Sequence, residues 1–101
     1  MFRNARRAAL CRACPMARTA DLVGDSCALL IVRDCLEKPR RYSELSESLK
    51  GISSRTLANK LKMLEKEKLL SRSRGAYTLT TRGRALRPIV SAMRRYGKKY
   101  L

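Results

Sequence analysis

Five stretches of the chain carry apolar residues at helical spacing, and one stretch alternates. The first opens at Pro15, whose fixed φ suits the first turn of a helix, and carries Ala17, Ala20, Leu22 and Val23 before Gly24 ends it. Asp25 then reads as the cap of a second helix over residues 26–36. There Cys27, Leu29, Leu30, Ile31, Val32, Cys35 and Leu36 wrap almost all round, so other elements must cover this helix and it becomes the centre of the core. Pro39 breaks the chain. Residues 42–49 follow as a short helix, with Ser43 as its cap and Leu45 and Leu49 four apart.

Gly51 marks a turn, and Ser53 caps a fourth helix predicted to run to about Lys68. Leu57, Leu61 and Leu64 fall on one stripe of it, the pattern of a helix with one buried face. At about 100° per residue, Arg55, Thr56, Asn59, Lys62 and Lys66 gather on the other side. Residues 70–74 and 76–80 alternate around Gly75, which predicts a tight β-hairpin. Thr81 caps a last helix in which Leu86, Ile89, Val90, Met93, Tyr96 and Tyr100 recur at helical spacing, with a kink predicted at Pro88.

Two helices joined by a short Gly-containing turn and followed by a hairpin make a winged helix-turn-helix. The expected fold is therefore mainly α with a small β-hairpin. Residues 14–101 form the winged helix domain, the recognition helix spans about 53–68 and the wing about 70–80. In that arrangement the second helix enters the major groove with its N-terminal half, where Arg pairs with guanine edges and Asn with adenine edges.

Composition supports a nucleic-acid partner. The 101 residues amount to one domain, and a hydrophobic share of 45% excludes a mostly disordered chain. Lys and Arg number 24 against 8 Asp and Glu, a net charge of +16 that repels itself unless a polyanion accepts it. Double-stranded DNA is the leading partner. The candidate contacts are Arg41, Ser53, Ser54, Arg55, Thr56, Asn59, Lys60 and Lys62, with Arg72 and Arg74 of the wing reaching phosphates or an adjacent minor groove. Lys62, Lys66 and Lys68 also read as an ordinary solvated face, and Tyr42 either touches a phosphate or packs beneath the two helices. A non-specific architectural protein that coats DNA through charge alone is the alternative.

The longest apolar run, residues 27–32, is six residues, against roughly 20 for a membrane-spanning helix, so no membrane partner is expected. Residues 1–13 read as a basic arm, which is short for a transit peptide and lacks the apolar stretch of a secretory signal. The expected compartment is the cytoplasm of a prokaryote, on the nucleoid when bound, with the four cysteines as thiols. Cys11 and Cys14 form a C-x-x-C pair, but the chain has no His, and Cys27 and Cys35 lie about two turns apart in the core helix, so no metal site is expected. No cofactor is expected, and no enzyme: there is no Gly-rich phosphate loop and no convergent acid pair. Ile89, Val90, Met93, Tyr96 and Tyr100, with Leu86, exceed what so small a core can cover, which predicts a homodimer built on residues 82–101 together with the N-terminal segment. Cys14 precedes Pro15 at a helix N-terminus, with Arg12 and Arg18 nearby, so it is the candidate redox thiol, with Cys11 as its resolving partner.

The same residues resemble the HxlR-type winged helix regulators within the wider MarR-like group. The resemblance runs from Cys14-Pro15 through Arg18-Thr19, Leu29-Leu30-Ile31, Arg41-Tyr42-Ser43-Glu44-Leu45, Gly51-Ile52-Ser53, Arg55-Thr56-Leu57, Leu61-Lys62 and Leu64-Glu65. It ends with Tyr77-Thr78-Leu79-Thr80, Gly83, Leu86 and Pro88. It implies a homodimer that dimerises through its terminal helices and binds pseudo-palindromic promoter DNA, and some members sense oxidants or electrophiles through a cysteine near Cys14. Two departures stand out: Cys27 occupies a core-helix position where such proteins usually carry Trp, and the wing is several residues shorter than usual.

Overall fold

A computed structural model describes residues 14–101 as six helices and three short strands. The order is α1 (Pro15–Val23), α2 (Ser26–Glu37), β1 (Arg40–Arg41), α3 (Tyr42–Ser48), α4 (Ser54–Lys66), β2 (Leu70–Ser73), β3 (Ala76–Leu79), α5 (Thr81–Arg84) and α6 (Arg87–Tyr100). The molecule is a winged helix: mainly helical, with a three-stranded antiparallel sheet in the order β1-β3-β2. Residues 1–13, the expected basic arm, lie outside the described residues. Among the described residues no helix is long and apolar enough to cross a membrane.

The core forms where the apolar stripes of α2, α3 and α4 meet the inner face of the hairpin. Ile31, Leu45, Leu57, Leu61 and Leu64 are all but fully buried there, joined by Leu70, Tyr77 and Leu79 from the strands. Asp25 caps α2 as expected, its carboxylate accepting from the Ala28 N–H at 3.1 Å. Toward the other end of α2, Ser48 donates to the carboxylate of Asp34 at 2.6 Å, and Arg33 pairs with the same group at 2.9 Å. This partly buried polar link fastens the last residue of α3 to α2.

Four sequence expectations change. Ser43 does not cap α3: Arg41 holds that position, and its N–H donates to the Glu44 carboxylate at 2.9 Å. That hydrogen bond is accepted by an acid at the third helical position, and it holds the Glu44 carboxyl below its ordinary range. The recognition helix stops at Lys66, and Lys68 turns out of it in the left-handed region with φ 62°. The last helix is two helices rather than one kinked helix, and Thr80, not Thr81, caps α5 by accepting from the Gly83 N–H at 3.0 Å. Pro88 sits in the first turn of α6, where its missing N–H costs nothing and its φ is already set, so it starts a helix instead of bending one.

The hairpin strands are one residue shorter at the turn and at the far end than the alternation suggests. Ser73 faces Ala76 across a two-residue turn in which Arg74 (φ 53°) and Gly75 (φ 77°) both take positive φ. This turn matches the twist of paired strands, and it explains the glycine. The sequence pattern gave no sign of β1, which pairs Arg40 with Tyr77 and Arg41 with Ala76.

Candidate nucleic-acid interface

The N-terminus of α4 is built from local bonds. Ser53 caps it, its hydroxyl accepting from the Thr56 N–H at 3.1 Å and donating to the Thr56 hydroxyl at 2.9 Å. The Tyr42 hydroxyl donates to the Ser54 carbonyl at 3.2 Å, so the first residue of α3 is tied to the first residue of α4. Of the two readings of Tyr42, the half-buried one inside the motif is therefore the geometry found. With Leu57, Leu61 and Leu64 buried beneath, Ser54, Arg55, Thr56, Asn59 and Lys62 are left exposed on the outer face of the helix.

Lys60 lies apart from these exposed side chains. Its ammonium pairs with the Asp25 carboxylate at 2.5 Å, and its side chain is 18% exposed. It leaves the outer face to anchor α4 on the N-terminus of α2. Burial pushes the Asp25 carboxyl up, but the hydrogen bonds from Lys60 and the Ala28 N–H outweigh it and leave that carboxyl below its ordinary value.

The wing gathers three arginines. Arg72 and Arg74 are exposed on the hairpin, and the Arg72 guanidinium lies 5.5 Å over the Tyr77 ring. Arg41 joins them because β1 lies beside β3: a Cβ on Gly75 would stand 2.8 Å from the Arg41 guanidinium, which places that group at the wing's turn. The sequence expectation included Arg41 without a reason for its place in the fold. The two-residue strand supplies that reason.

The stripe expected to dimerise divides. Leu86 and Val90 are buried within the chain's own core, and Ile89 is half-buried against it, so the first two are core residues rather than free surface. Met93, Tyr96 and Tyr100 are 52%, 61% and 62% exposed, with the two tyrosine rings 5.0 Å apart. They continue the apolar side of α6 past the point where the core ends.

Cys14 is exposed and caps α1, its sulfur accepting from the Ala17 N–H at 3.4 Å. Cys11 lies outside the described residues. Cys27 and Cys35 are buried; burial, reinforced by Asp25 and Asp34 respectively, pushes both thiols up, Cys35 to about 11. Such thiols stay protonated and behave as small apolar side chains.

Comparison with known proteins agrees with this architecture. A family model described as HxlR-like helix-turn-helix matches residues 22–101. An HTH-type transcriptional regulator of Synechocystis is 32% identical over 95 residues, covering 87% of this chain and 70% of its own length. The quinone-bound structure of YodB from Bacillus subtilis superposes with a TM-score of 0.78 at 32% identity, covering 86% of this chain and all of that one. A MarR-family regulator of Porphyromonas gingivalis gives a TM-score of 0.85 at 27% identity over 89% of this chain and 95% of its own. With that match spanning both helices of the motif, the wing and α6, the chain belongs to the HxlR-like helix-turn-helix family of transcriptional regulators.

Proposed function

We propose that the chain acts as a homodimeric, sequence-specific DNA-binding regulator. One observation carries this reading: α4 has its apolar stripe wholly buried, and it presents Arg55 and Asn59 on exposed early turns. These two side chains read base edges, while Ser53, Ser54, Thr56 and Lys62 set the helix on the backbone of the groove. Arg41, Arg72 and Arg74 hold the flanking phosphates through the wing. Met93, Tyr96 and Tyr100, with Ile89, supply the dimer contact. A twofold pair of recognition helices then spans half-sites about 10 bp apart.

Affinity for a selected operator and for random DNA, compared at one fixed salt concentration, tests the reading. A specificity ratio of roughly 10³ or more is expected. A ratio near one would replace it with the architectural alternative, which +16 charges would sustain without base contacts.

Cys14 is the proposed redox or electrophile input, supported by its exposure and its place at a helix cap, and by the quinone bound to YodB. Operator affinity before and after mild oxidation, in the chain and in Cys14→Ser, checks it. The expected result is a change in the first and none in the second. Equal responses in both would remove Cys14 from the proposal.

A further inference from the structure

α2 separates two basic surfaces. Ala28, Ile31, Val32 and Cys35 enter the core that seats α4, whereas Leu29, Leu30 and Arg33 lie against Val90, Met93 and Arg94 of α6. At about 100° per residue the two sets fall on roughly opposite sides of α2. The recognition helix and α6 therefore face different ways, with a helix about 10–12 Å thick between them. A duplex seated on α4 stands on the other side of the core from α6.

The flank of α6 turned away from Tyr96 and Tyr100 is basic throughout. Arg87, Arg94, Arg95, Lys98 and Lys99 are exposed and fall within an arc of roughly 140° around the helix, with only Ser91 and Pro88 among them. From Arg87 to Lys99 they extend about 18 Å along the axis. Among the described residues no carboxylate pairs with any of these cations, and residues 81–101 contain no Asp or Glu. Lys50, by contrast, meets Glu47 at 2.8 Å. A dimer built on Met93, Tyr96 and Tyr100 brings two such flanks into one particle, and a polyanion relieves their repulsion. Among polyanions a duplex fits best: it carries one charge per about 1.7 Å of axis and is held by rows of cations alone. An anionic bilayer would also take in the apolar stripe of the helix, which the proposed dimer covers.

We propose that the outer flank of α6 is a second DNA-binding surface, indifferent to sequence, by which a protein seated on one duplex holds another. Arg94, Arg95, Lys98 and Lys99 contact its phosphates. Arg87 lies at the inner end of the row, where its guanidinium also donates to the Leu36 carbonyl at 3.1 Å. The inference rests on the function proposed above only in that α4 and the wing take the first duplex. Its consequence is bridging: two separate sites, or two stretches of one DNA, are brought together without any added protein contact.

Two random duplexes, each about three helical turns long, are the test, one fixed to beads and one fluorescent in solution. At roughly 50 mM salt the beads should retain the protein and the retained protein should hold the fluorescent duplex, which roughly 200 mM salt should release. The double variant Arg95→Gln, Lys99→Gln should weaken capture of the second duplex about tenfold or more and leave retention on the first within about twofold. Lys38→Gln with Lys50→Gln removes the same charge from exposed positions off α6 and should leave both within about twofold. Protein retained without a second duplex would overturn the proposal and leave the regulator reading standing. Capture that survives in the Arg95 and Lys99 variant, or falls equally in both double variants, would also overturn it, since bridging would then come from the two recognition helices or from net charge. Binding to phosphatidylserine vesicles in place of the second duplex would give the flank to lipid and overturn it as well. Protein not retained even by the first duplex would remove both readings. Random duplexes carry no operator, so a failure of specificity in the operator assay leaves this inference intact.

Discussion

α4 and α6 are 13 and 14 residues long, and both set a basic flank against an apolar stripe. They differ in where that stripe goes. On α4, Leu57, Leu61 and Leu64 are each 1% exposed, so the helix is finished inside its own chain and only its polar face is left to act. On α6 the core claims Val90, half claims Ile89, and leaves Met93, Tyr96 and Tyr100 to solvent. A small domain has core enough to seat one such helix rigidly on all its apolar contacts. The helix proposed to read base pairs is the one seated. The other is left with an unfinished surface suited to a second copy.

Salt separates the two helices most strongly. If α4 and the wing engage six to ten phosphates, affinity for DNA should fall by about 10³ to 10⁵ between roughly 50 and 200 mM salt, as counterions compete. The dimer should respond the other way. Residues 81–101 carry seven Lys and Arg and no acid, so two copies of α6 repel, and screening reduces that repulsion. Fluorescence anisotropy on DNA and sedimentation of the protein alone give the two slopes. A dimer that weakens with salt in parallel with DNA binding would show that α6 is held by ion pairs, not by its tyrosines.

Stability should separate them next. Leu61→Ala removes a fully buried side chain from under the recognition helix and should cost about 2–5 kcal/mol in urea unfolding. Tyr96→Ala, at protein concentrations too low for dimers, should stay within about 0.5 kcal/mol, as surface substitutions do, while weakening association in sedimentation. Point substitution beyond Val90 is the clean way to open the proposed dimer, since truncation after Gly83 would also strip Leu86 and Val90 from the core. A large loss of monomer stability in Tyr96→Ala would erase the difference between the helices.

The seated helix was also the legible one. α4 could be placed from a cap at Ser53 and leucines at spacings of four and three, because both signals are local. What could not be read depends on residues distant in the chain. β1 is two residues long, has no period, and exists only because β3 passes beside it some 35 residues later. Lys60 looks like its neighbours until Asp25 is placed under it. Periodicity identifies the apolar side of α6 but gives no depth, so Leu86 and Val90 could not be told from Tyr96 and Tyr100. The preference for Ser as a cap pointed to Ser43, and the reach of Glu44 back to the Arg41 N–H places the cap of α3 two residues earlier.

At the level of single base pairs, Arg55→Ala should cost on the order of 1–3 kcal/mol at the preferred site and much less on random DNA. Competition with single-base operator variants reads this directly. Uniform weakening across all sequences would make Arg55 a phosphate contact and move base reading to Asn59 and its neighbours.

The smallest effect concerns how α4 is seated. Lys60→Gln removes the pair with Asp25, and a partly exposed pair of this kind contributes about 0–1 kcal/mol. Its pH dependence carries the information. Asp25 has a folded pKa below its unfolded value of about 3.9, so its contribution is present in full above that value and is lost as pH falls through the folded pKa. The stability difference between the chain and Lys60→Gln should therefore hold steady from pH 7 to about 5 and shrink below about 4. A difference that persists unchanged at pH 3 would mean that Lys60 acts through the apolar stem of its side chain and not through its charge. DNA supplies the second readout. A lost phosphate contact lowers the salt slope by about one, whereas loss of an anchor beneath the helix leaves the slope unchanged. An unchanged slope keeps Lys60 beneath the recognition helix; a slope lower by one would return it to the outer face beside Lys62.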